Sequence, residues 1–264
     1  MKEQEHQRIV RVAATLLAAE RSRVPTASLT AQPCGLTLED AYRIQAAAIA
    51  MRVADGARVV GHKVGVTSQA MQEQMGVTEP DSGVLLAEMV LPSGSALVRG
   101  ELMQPRVEAE IAFRLGQDLQ GPDPTLEEAK AAVAEVFLAI EVIDTRFTSW
   151  RISLADSIAD NASCARVVTG TMVPLDPAWD LAAEQLVVSV DGRAVAAGEG
   201  RAVLGDPFRP LLWLASRLAA VSHYGLRAGD LVLAGAVHAS LPLEQNTTVQ
   251  VTAPHLPPVA LRTT

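Results

Sequence analysis

The segment from residue 104 to residue 113 alternates between apolar and polar side chains. Four apolar residues fall on one side of this alternation: Val107, Ala109, Ile111 and Phe113. A period of two residues is typical of a β-strand that turns one face toward a core. The opposite face carries Glu108 and Glu110, which are close neighbours on a strand and repel each other. The pattern predicts a strand whose carboxylates face either solvent or a cation.

A second segment, residues 136–144, is almost entirely apolar and contains Glu141. Such a run is typical of a strand that is buried on both faces, and an unpaired carboxylate there is very costly. Glu108, Glu110 and Glu141 could together bind one hard divalent cation, because Mg²⁺ and Mn²⁺ prefer oxygen ligands. On the residues alone, this metal site and a solvated acidic face remain open alternatives.

Composition excludes several classes of function. The 264 residues are 49% hydrophobic, which is enough for one large domain or two small ones. The net charge is −8 and the lysines and arginines are scattered, so no nucleic-acid partner is expected. Two cysteines, Cys34 and Cys164, are too few for a disulfide framework or a Cys-x-x-Cys zinc site, and we expect reduced thiols in a cytoplasmic protein. No run approaches the roughly 18 apolar residues of a membrane span, so no membrane association is expected.

Helical patterns come first in the chain and short strand patterns follow. Helices are predicted over residues 3–20 and 37–54. A capping box at Thr125 predicts a helix to about residue 135, and Asp206 followed by proline predicts the start of another. The dipeptide Asp191-Gly192 between two strand patterns predicts a hairpin.

Because no regular βαβ alternation appears, this order of elements favours an α+β fold. We expect a helical segment over residues 1–57 and a β-rich core over residues 58–264, which contains the candidate metal site. The two are predicted to form one compact unit. A short helix is also expected over residues 68–75.

Several residues have both a structural and a functional interpretation. Lys63 lies within a strand pattern, where it is either a solvent-facing side chain or a cation in a pocket. Asp81 is either a turn residue or a functional carboxylate. His223 and His238 stand alone, which favours structural roles. The glycine-rich segment 198–205 lacks the strand and helix that flank a nucleotide loop, so we interpret it as the exit of the hairpin.

Five segments that contain these residues occur in a fixed order along the chain: Gly61–Ser68 (GHKVGVTS), Glu79–Gly83 (EPDSG), Gln104–Glu110 (QPRVEAE), Glu141–Arg146 (EVIDTR) and Asp160–Ser163 (DNAS). Together they resemble the 2-keto-4-pentenoate (2-hydroxypenta-2,4-dienoate) hydratases of aromatic meta-cleavage pathways. The 4-oxalocrotonate decarboxylases are their close relatives, and both groups belong to the fumarylacetoacetate hydrolase superfamily. The resemblance extends from about Leu36 to Leu261 and implies a catalytic core built as a mixed β-sheet roll or sandwich.

The resemblance also implies roles for individual residues. Glu108, Glu110 and Glu141 match the family's Mg²⁺ or Mn²⁺ ligands. Lys63 and Asp81 match catalytic residues. Two further residues are expected to contact the substrate: Ser163 and Leu85.

The motif around Asp81 departs from the family at one position. The hydratases carry Pro-Asp-aromatic-Gly, and Ser82 replaces the aromatic residue here. The decarboxylases carry an apolar residue in place of Asp81. The resemblance therefore implies a lyase that adds water to a 2-hydroxy-2,4-dienoate to give a 4-hydroxy-2-oxoacid.

Two alternatives accompany this interpretation. The first is a 2-oxo-acid decarboxylase of the 4-oxalocrotonate type, and Asp81 argues against it. The second is a non-catalytic subunit that holds a partner enzyme, and the five intact motifs argue against that. The resemblance further implies a small-molecule dienoate substrate, a homo-oligomer, and a complex with a partner enzyme of the same pathway.

Overall fold

Two helices open the chain and pack against each other. In the computed structural model, which describes residues 2–30, 36–68, 72–73, 77–222 and 225–264, they are α1 (Lys2–Ser22) and α2 (Leu38–Ala54). Thr37 caps α2, because its side chain accepts a hydrogen bond from the backbone N–H of Asp40. The helices bury Ile9 and Leu16 of α1 against Ile44 of α2, and the later helix α4 (Leu154–Ala159) joins the same apolar cluster.

The remainder of the described chain is dominated by two sheets. The strands are β1 (Val59–Gly65), β2 (Asp81–Leu86), β3 (Val90–Pro92), β4 (Ala96–Leu97), β5 (Arg106–Leu115), β6 (Val133–Ile143), β7 (Cys164–Thr169), β8 (Val173–Pro174), β9 (Gln185–Val190), β10 (Arg193–Glu199), β11 (Leu231–Ala236), β12 (Leu241–Pro242), β13 (Thr248–Thr252) and β14 (Val259–Thr263). Two more helices are α3 (Leu126–Ala132) and α5 (Arg209–Ser222). This mixture of helices and mixed sheets confirms the predicted α+β class.

The larger sheet has nine strands, and its order is β2-β1-β11-β5-β6-β7-β3, with β12 paired to β5 and β8 to β6. The smaller sheet has the order β10-β9-β13-β14-β4. In the larger sheet β1 runs parallel to β11, whereas β5 runs antiparallel to both β11 and β6. Strands that are far apart in sequence thus become neighbours at the centre of the sheet.

The two central strands β5 and β6 are buried on both faces over most of their length. One face of each belongs to the main core, where Phe113 stacks on Phe208 with ring centroids 4.8 Å apart. On the other face Ala112 and Phe137 pack in a smaller apolar cluster. The alternation that was predicted for residues 104–113 therefore exists, but its polar side does not face solvent.

Two helix boundaries differ from the sequence prediction. The helix that follows the Thr125 capping box ends at Ala132, and residues from Val133 onward pair with β5. Within that pairing Glu135 lies opposite Arg114 and forms an ion pair with it, a favourable cross-strand contact. Asp206 accepts a hydrogen bond from the N–H of Phe208, but the regular helix begins at Arg209.

The hairpin between β9 and β10 is confirmed, since Asp191 and Gly192 have φ values of 49° and 78°. These positive values are those of the turn that a two-residue hairpin prefers. Most of the short helix predicted over residues 68–75 lies outside the described residues, as do Cys34 and His223. Within the described ranges, no helix combines the length and the apolar character that crossing a membrane requires.

Candidate functional site

Three glutamates converge where β5 and β6 pair. Glu108 lies directly opposite Glu141 in the register of the two strands, and Glu110 lies two residues further along the same face of β5. One carboxylate oxygen from each residue lies within 4.8 Å of the others. Glu110 and Glu141 are only 1% and 0% exposed, so the solvated-face alternative does not describe them.

The carboxylate oxygens of this cluster are poorly satisfied by the protein. Gly235 donates its backbone N–H to Glu110 Oε2 at 2.7 Å, and a register shift in β11 frees that N–H from strand pairing. Among the described residues, Glu110 Oε1 and both oxygens of Glu141 have no hydrogen-bond partner. Burial, followed by the charge of Glu141, raises the pKa of Glu108 to about 7 and the pKa of Glu110 well above its usual range.

Lys63 supplies one positive charge to the three glutamates. Its side chain is 3% exposed, and its Nζ lies 3.4 Å from Glu141 Oε1. Burial acts to lower the pKa of Lys63, but the charges of Glu141 and Asp81 outweigh it and raise the pKa above its ordinary value. One ammonium can balance only one of the three carboxylates, so the other two cannot both be ionised without further positive charge. A hard divalent cation would supply that charge and would bind the oxygens that lack partners, and the residues fit such an ion.

Asp81 lies beside Lys63 at the start of the edge strand β2. It is 1% exposed and pairs in register with Gly65 of β1. A Cβ atom on Gly65 would lie 2.3 Å from Asp81 Oδ1 and 3.0 Å from Lys63 Nζ. The two functional groups therefore meet in space that only a glycine leaves free. Ser157 donates to Asp81 Oδ2 at 2.9 Å, whereas Oδ1 has no partner among the described residues.

A left-handed turn forms the wall of the site next to Lys63. Asn161, Ala162 and Ser163 have φ values of 55°, 49° and 56°, a conformation that costs energy for residues other than glycine. The turn directs the carbonyl of Ala162 to Lys63 Nζ, 3.2 Å away. Ser163 Oγ is buried and has no hydrogen-bond partner in the described chain. Ser163, which directly follows Ala162 in this turn, therefore has an unused polar atom, and its contact with substrate stays a prediction.

Two sets of contacts hold this turn in place. The Asn161 side chain pairs with the backbone of Val84, accepting from its N–H at 2.8 Å and donating to its carbonyl at 2.9 Å. Just before the turn, Asp160 forms a buried ion pair with Arg146 and also accepts from the Arg146 backbone N–H at 3.0 Å. The segments Glu141–Arg146 and Asp160–Ser163 are thus joined in space, which explains why both carry polar residues.

Other candidate residues lie near the site without entering it. His238 Nε2 accepts the N–H of Ala109, between the two glutamates of β5, and its other ring nitrogen lies 2.7 Å from the carbonyl of Ala239. These backbone contacts fit the structural role expected for His238. Leu85 is fully buried in the apolar cluster on the same side of the sheet, and its contact with substrate stays a prediction.

Two residues of the site were not anticipated from the sequence. Ser157 was one of several polar residues in a segment of mixed character. Cys164 is a buried thiol whose pKa is raised by burial and then by the charge of Glu141. No local sequence pattern marks either residue as part of the site. Both are brought to it by the path of the chain between β6 and β7, which the sequence does not predict.

Comparison with known proteins identifies the family to which this chain is related. The family model described as fumarylacetoacetate (FAA) hydrolase C-terminal matches residues 52–263. The chain is 39% identical to a 2-hydroxyhexa-2,4-dienoate hydratase of Comamonas testosteroni over 86% of each chain. It is 40% identical to a 4-oxalocrotonate decarboxylase of a Pseudomonas species over 97% of this chain and 98% of the relative.

A solved structure shows the same fold over the whole chain. The 4-oxalocrotonate decarboxylase of Pseudomonas putida G7, in complex with magnesium and adipate, superposes with a TM-score of 0.94 at 31% identity and covers 100% of this chain and 98% of its own. The chain belongs to the fumarylacetoacetate hydrolase family. The predicted family and core architecture are thereby confirmed.

Proposed function

We propose that this protein is a hydro-lyase that adds water to a 2-hydroxy-2,4-dienoate and forms a 4-hydroxy-2-oxoacid in aromatic meta-cleavage degradation. The observation that carries the proposal is the placement of Asp81. Its free Oδ1 and Lys63 Nζ border the same space above Gly65, and Lys63 Nζ in turn lies 3.4 Å from Glu141 Oε1. The hydratases among the relatives support the same reaction.

The three glutamates would hold the cation, for which we propose Mg²⁺ or Mn²⁺. When bound there, the cation would act as a Lewis acid toward the substrate's carboxylate and neighbouring oxygen. Glu108 and Glu110 come from one strand and Glu141 from the next, so the three ligands are fixed by strand pairing and not by a loop. The magnesium in the related decarboxylase structure supports a divalent cation at such a site.

Lys63 and Asp81 would move the protons. The reaction requires a proton to leave the 2-hydroxyl group and a proton to reach the distal carbon, which gives an unsaturated ketone. Water then adds across the double bond between C3 and C4: its oxygen bonds to C4, a base accepts one of its protons, and C3 receives a proton, which gives the 4-hydroxy-2-oxoacid. Asp81 Oδ1 is free to accept the proton from water, while Lys63 remains charged and serves as the acid or as the anchor of the substrate carboxylate. We assign substrate contact to Ser163, whose hydroxyl has no partner in the described chain, and to Leu85.

The second candidate is a decarboxylase of 2-oxo acids, favoured by the high coverage of the decarboxylase relatives. Loss of CO₂ requires stabilisation of the resulting enolate but no base for water. A buried carboxylate near the departing group would also repel it. Asp81 therefore separates the two reactions, and its presence favours the hydratase.

The test is a product assay on the purified protein. With 2-hydroxypenta-2,4-dienoate and Mg²⁺, we expect 4-hydroxy-2-oxopentanoate by NMR, loss of activity with EDTA, and recovery with added Mg²⁺ or Mn²⁺. With a 2-oxohexenedioate, CO₂ release faster than water addition would replace the hydratase with the decarboxylase. Full activity with EDTA present throughout, and no divalent ion added, would show that the reaction does not need a metal.

Gly65→Ala should lower kcat by about 100-fold, the scale on which a misplacement of about 1 Å reduces turnover. The new Cβ would lie 2.3 Å from Asp81 Oδ1, so the carboxylate must move. The matched control is Gly100→Ala, because a Cβ there meets nothing within 4 Å. Steady-state kinetics and melting temperature of both variants check the prediction, and wild-type kcat in Gly65→Ala contradicts it.

Three further parts of the proposal depend on the resemblance to the family. The enzyme would act in the cytoplasm, as a homo-oligomer, and in association with a partner enzyme of the same pathway. The buried, unpaired thiol of Cys164 is compatible with a reducing compartment. Light scattering of the purified protein measures the oligomer directly.

A further inference from the structure

We propose that Ser157 is a positioning residue, which fixes the orientation of the Asp81 carboxylate so that Oδ1 is the oxygen that acts. This inference rests on the proposed hydratase function. Ser157 Oγ lies 2.9 Å from Asp81 Oδ2, and both residues are buried. An ionised carboxylate only accepts hydrogen bonds, so the hydroxyl is the donor.

The two oxygens of Asp81 have different surroundings. Oδ2 is occupied by Ser157, whereas Oδ1 has no partner among the described residues. Oδ1 is also the oxygen that borders the space above Gly65, which it shares with Lys63 Nζ. The two oxygens of an ionised carboxylate are chemically equivalent, so the hydroxyl acts by fixing the plane of the group. A carboxylate that turned freely about its Cβ–Cγ bond would hold neither oxygen steadily toward the site. The Ser157 hydroxyl removes that freedom and leaves the unpaired oxygen directed at the site, which is the preorganisation that catalysis uses.

The helix that carries Ser157 is itself firmly held. Ser153 and Asp156 form a reciprocal capping box at the start of α4. Asp156 also accepts hydrogen bonds from the backbone N–H of Leu29 at 2.8 Å and from the Thr30 hydroxyl at 2.6 Å. These contacts tie α4 to the connector between the first two helices and prevent it from sliding along its axis.

A further contact fixes the distance between α4 and β2. The Gln45 side chain donates from Nε2 to the carbonyl of Ser82 at 2.7 Å and to the carbonyl of Ile158 at 3.1 Å. Ser82 is the residue after Asp81, and Ile158 is the residue after Ser157. The amide group of Gln45 therefore links the backbone next to the carboxylate to the backbone next to the hydroxyl. The hydroxyl and the carboxylate are therefore held together by contacts that do not involve either of them.

The test compares an alanine variant in α4 with one at the cap of another helix. Ser157→Ala should lower kcat about tenfold and leave KM within about twofold, because the carboxylate loses the donor that fixes its plane while the groups that bind substrate are unchanged. Ser157→Thr retains the hydroxyl and should restore most of kcat. Binding of Mg²⁺, measured by calorimetry, should stay unchanged in both.

Thr125→Ala is the control for a merely structural effect. It removes the same kind of capping box from α3, which takes no part in holding Ser157 or Asp81, so the melting temperature should fall while kcat stays close to wild type. Wild-type kcat in Ser157→Ala, or the same kinetic change in Thr125→Ala, overturns the positioning role. Failure of the wild-type protein to hydrate any dienoate instead overturns the proposed function together with the role that depends on it.

Discussion

Replacing Asp81 with asparagine lowers kcat for hydration by about 10²- to 10⁴-fold, the usual effect of removing a general acid or base. The amide has nearly the same size as the carboxylate, and its oxygen can still accept the hydrogen bond from Ser157. It cannot take a proton from water. Because Asp81 is not one of the three glutamates, binding of Mg²⁺ and the melting temperature should change far less than turnover.

Steady-state kinetics and calorimetric titration with Mg²⁺ measure the two halves of this prediction. Asp191→Asn, in the hairpin turn of the smaller sheet, is the matched control, because asparagine suits the positive φ of that position. Hydration by Asp81→Asn at nearly the wild-type rate would show that another group takes the proton. The hydratase proposal would then lose its main support over the decarboxylase alternative, because that support is the role of Asp81.

Replacing Glu108 with glutamine is expected to weaken Mg²⁺ binding by more than about 100-fold, because even groups that only orient metal ligands change affinity 10- to 100-fold. The same change should make the metal-free protein more stable at neutral pH. Burial and the charge of Glu141 raise the pKa of Glu108 to about 7 in the folded protein. A carboxyl group with a raised pKa favours folding below its unfolded value, and this contribution is lost as the pH rises toward 7.

The gain in unfolding free energy for Glu108→Gln should therefore be absent near pH 4 and reach about 3 kcal/mol above pH 7. Urea unfolding in EDTA at several pH values measures it. Glu101→Gln, at an exposed position, is the control and should show no such dependence. A gain of the same size at every pH would trace the effect to packing and not to charge.

The sequence predicted the two strands that carry the glutamates. The alternation around Glu108 and the apolar run around Glu141 each form a strand, and the two strands pair so that these glutamates lie opposite each other. The partner of Glu141 could not be predicted in the same way. The sequence indicated that a buried carboxylate needs a partner, but only the structure places Lys63 3.4 Å away. Glu141→Ala would thus leave a buried ammonium without its nearest counter-charge.

Contacts made by irregular backbone could not be predicted from the sequence. The N–H of Gly235 that binds Glu110 is free only because the register of β11 shifts. The left-handed turn at residues 161–163 contains no glycine, so its sequence does not predict its backbone. Both features depend on packing between distant segments, whereas the helices and the hairpin depend on local patterns.

The order of strands in the larger sheet has a consequence for how the protein acquires activity. Lys63 comes from β1 and the Gly235 N–H from β11, strands that pair only after most of the chain has been made. Sheets with such long-range pairing fold slowly, because distant segments must meet before any contact stabilises them. Strand β11 lies between β1 and β5, so the sheet joins the lysine to the glutamates only once β11 has paired. Recovery of activity after dilution from denaturant therefore reports completion of the whole sheet, and it should lag behind the recovery of helical signal.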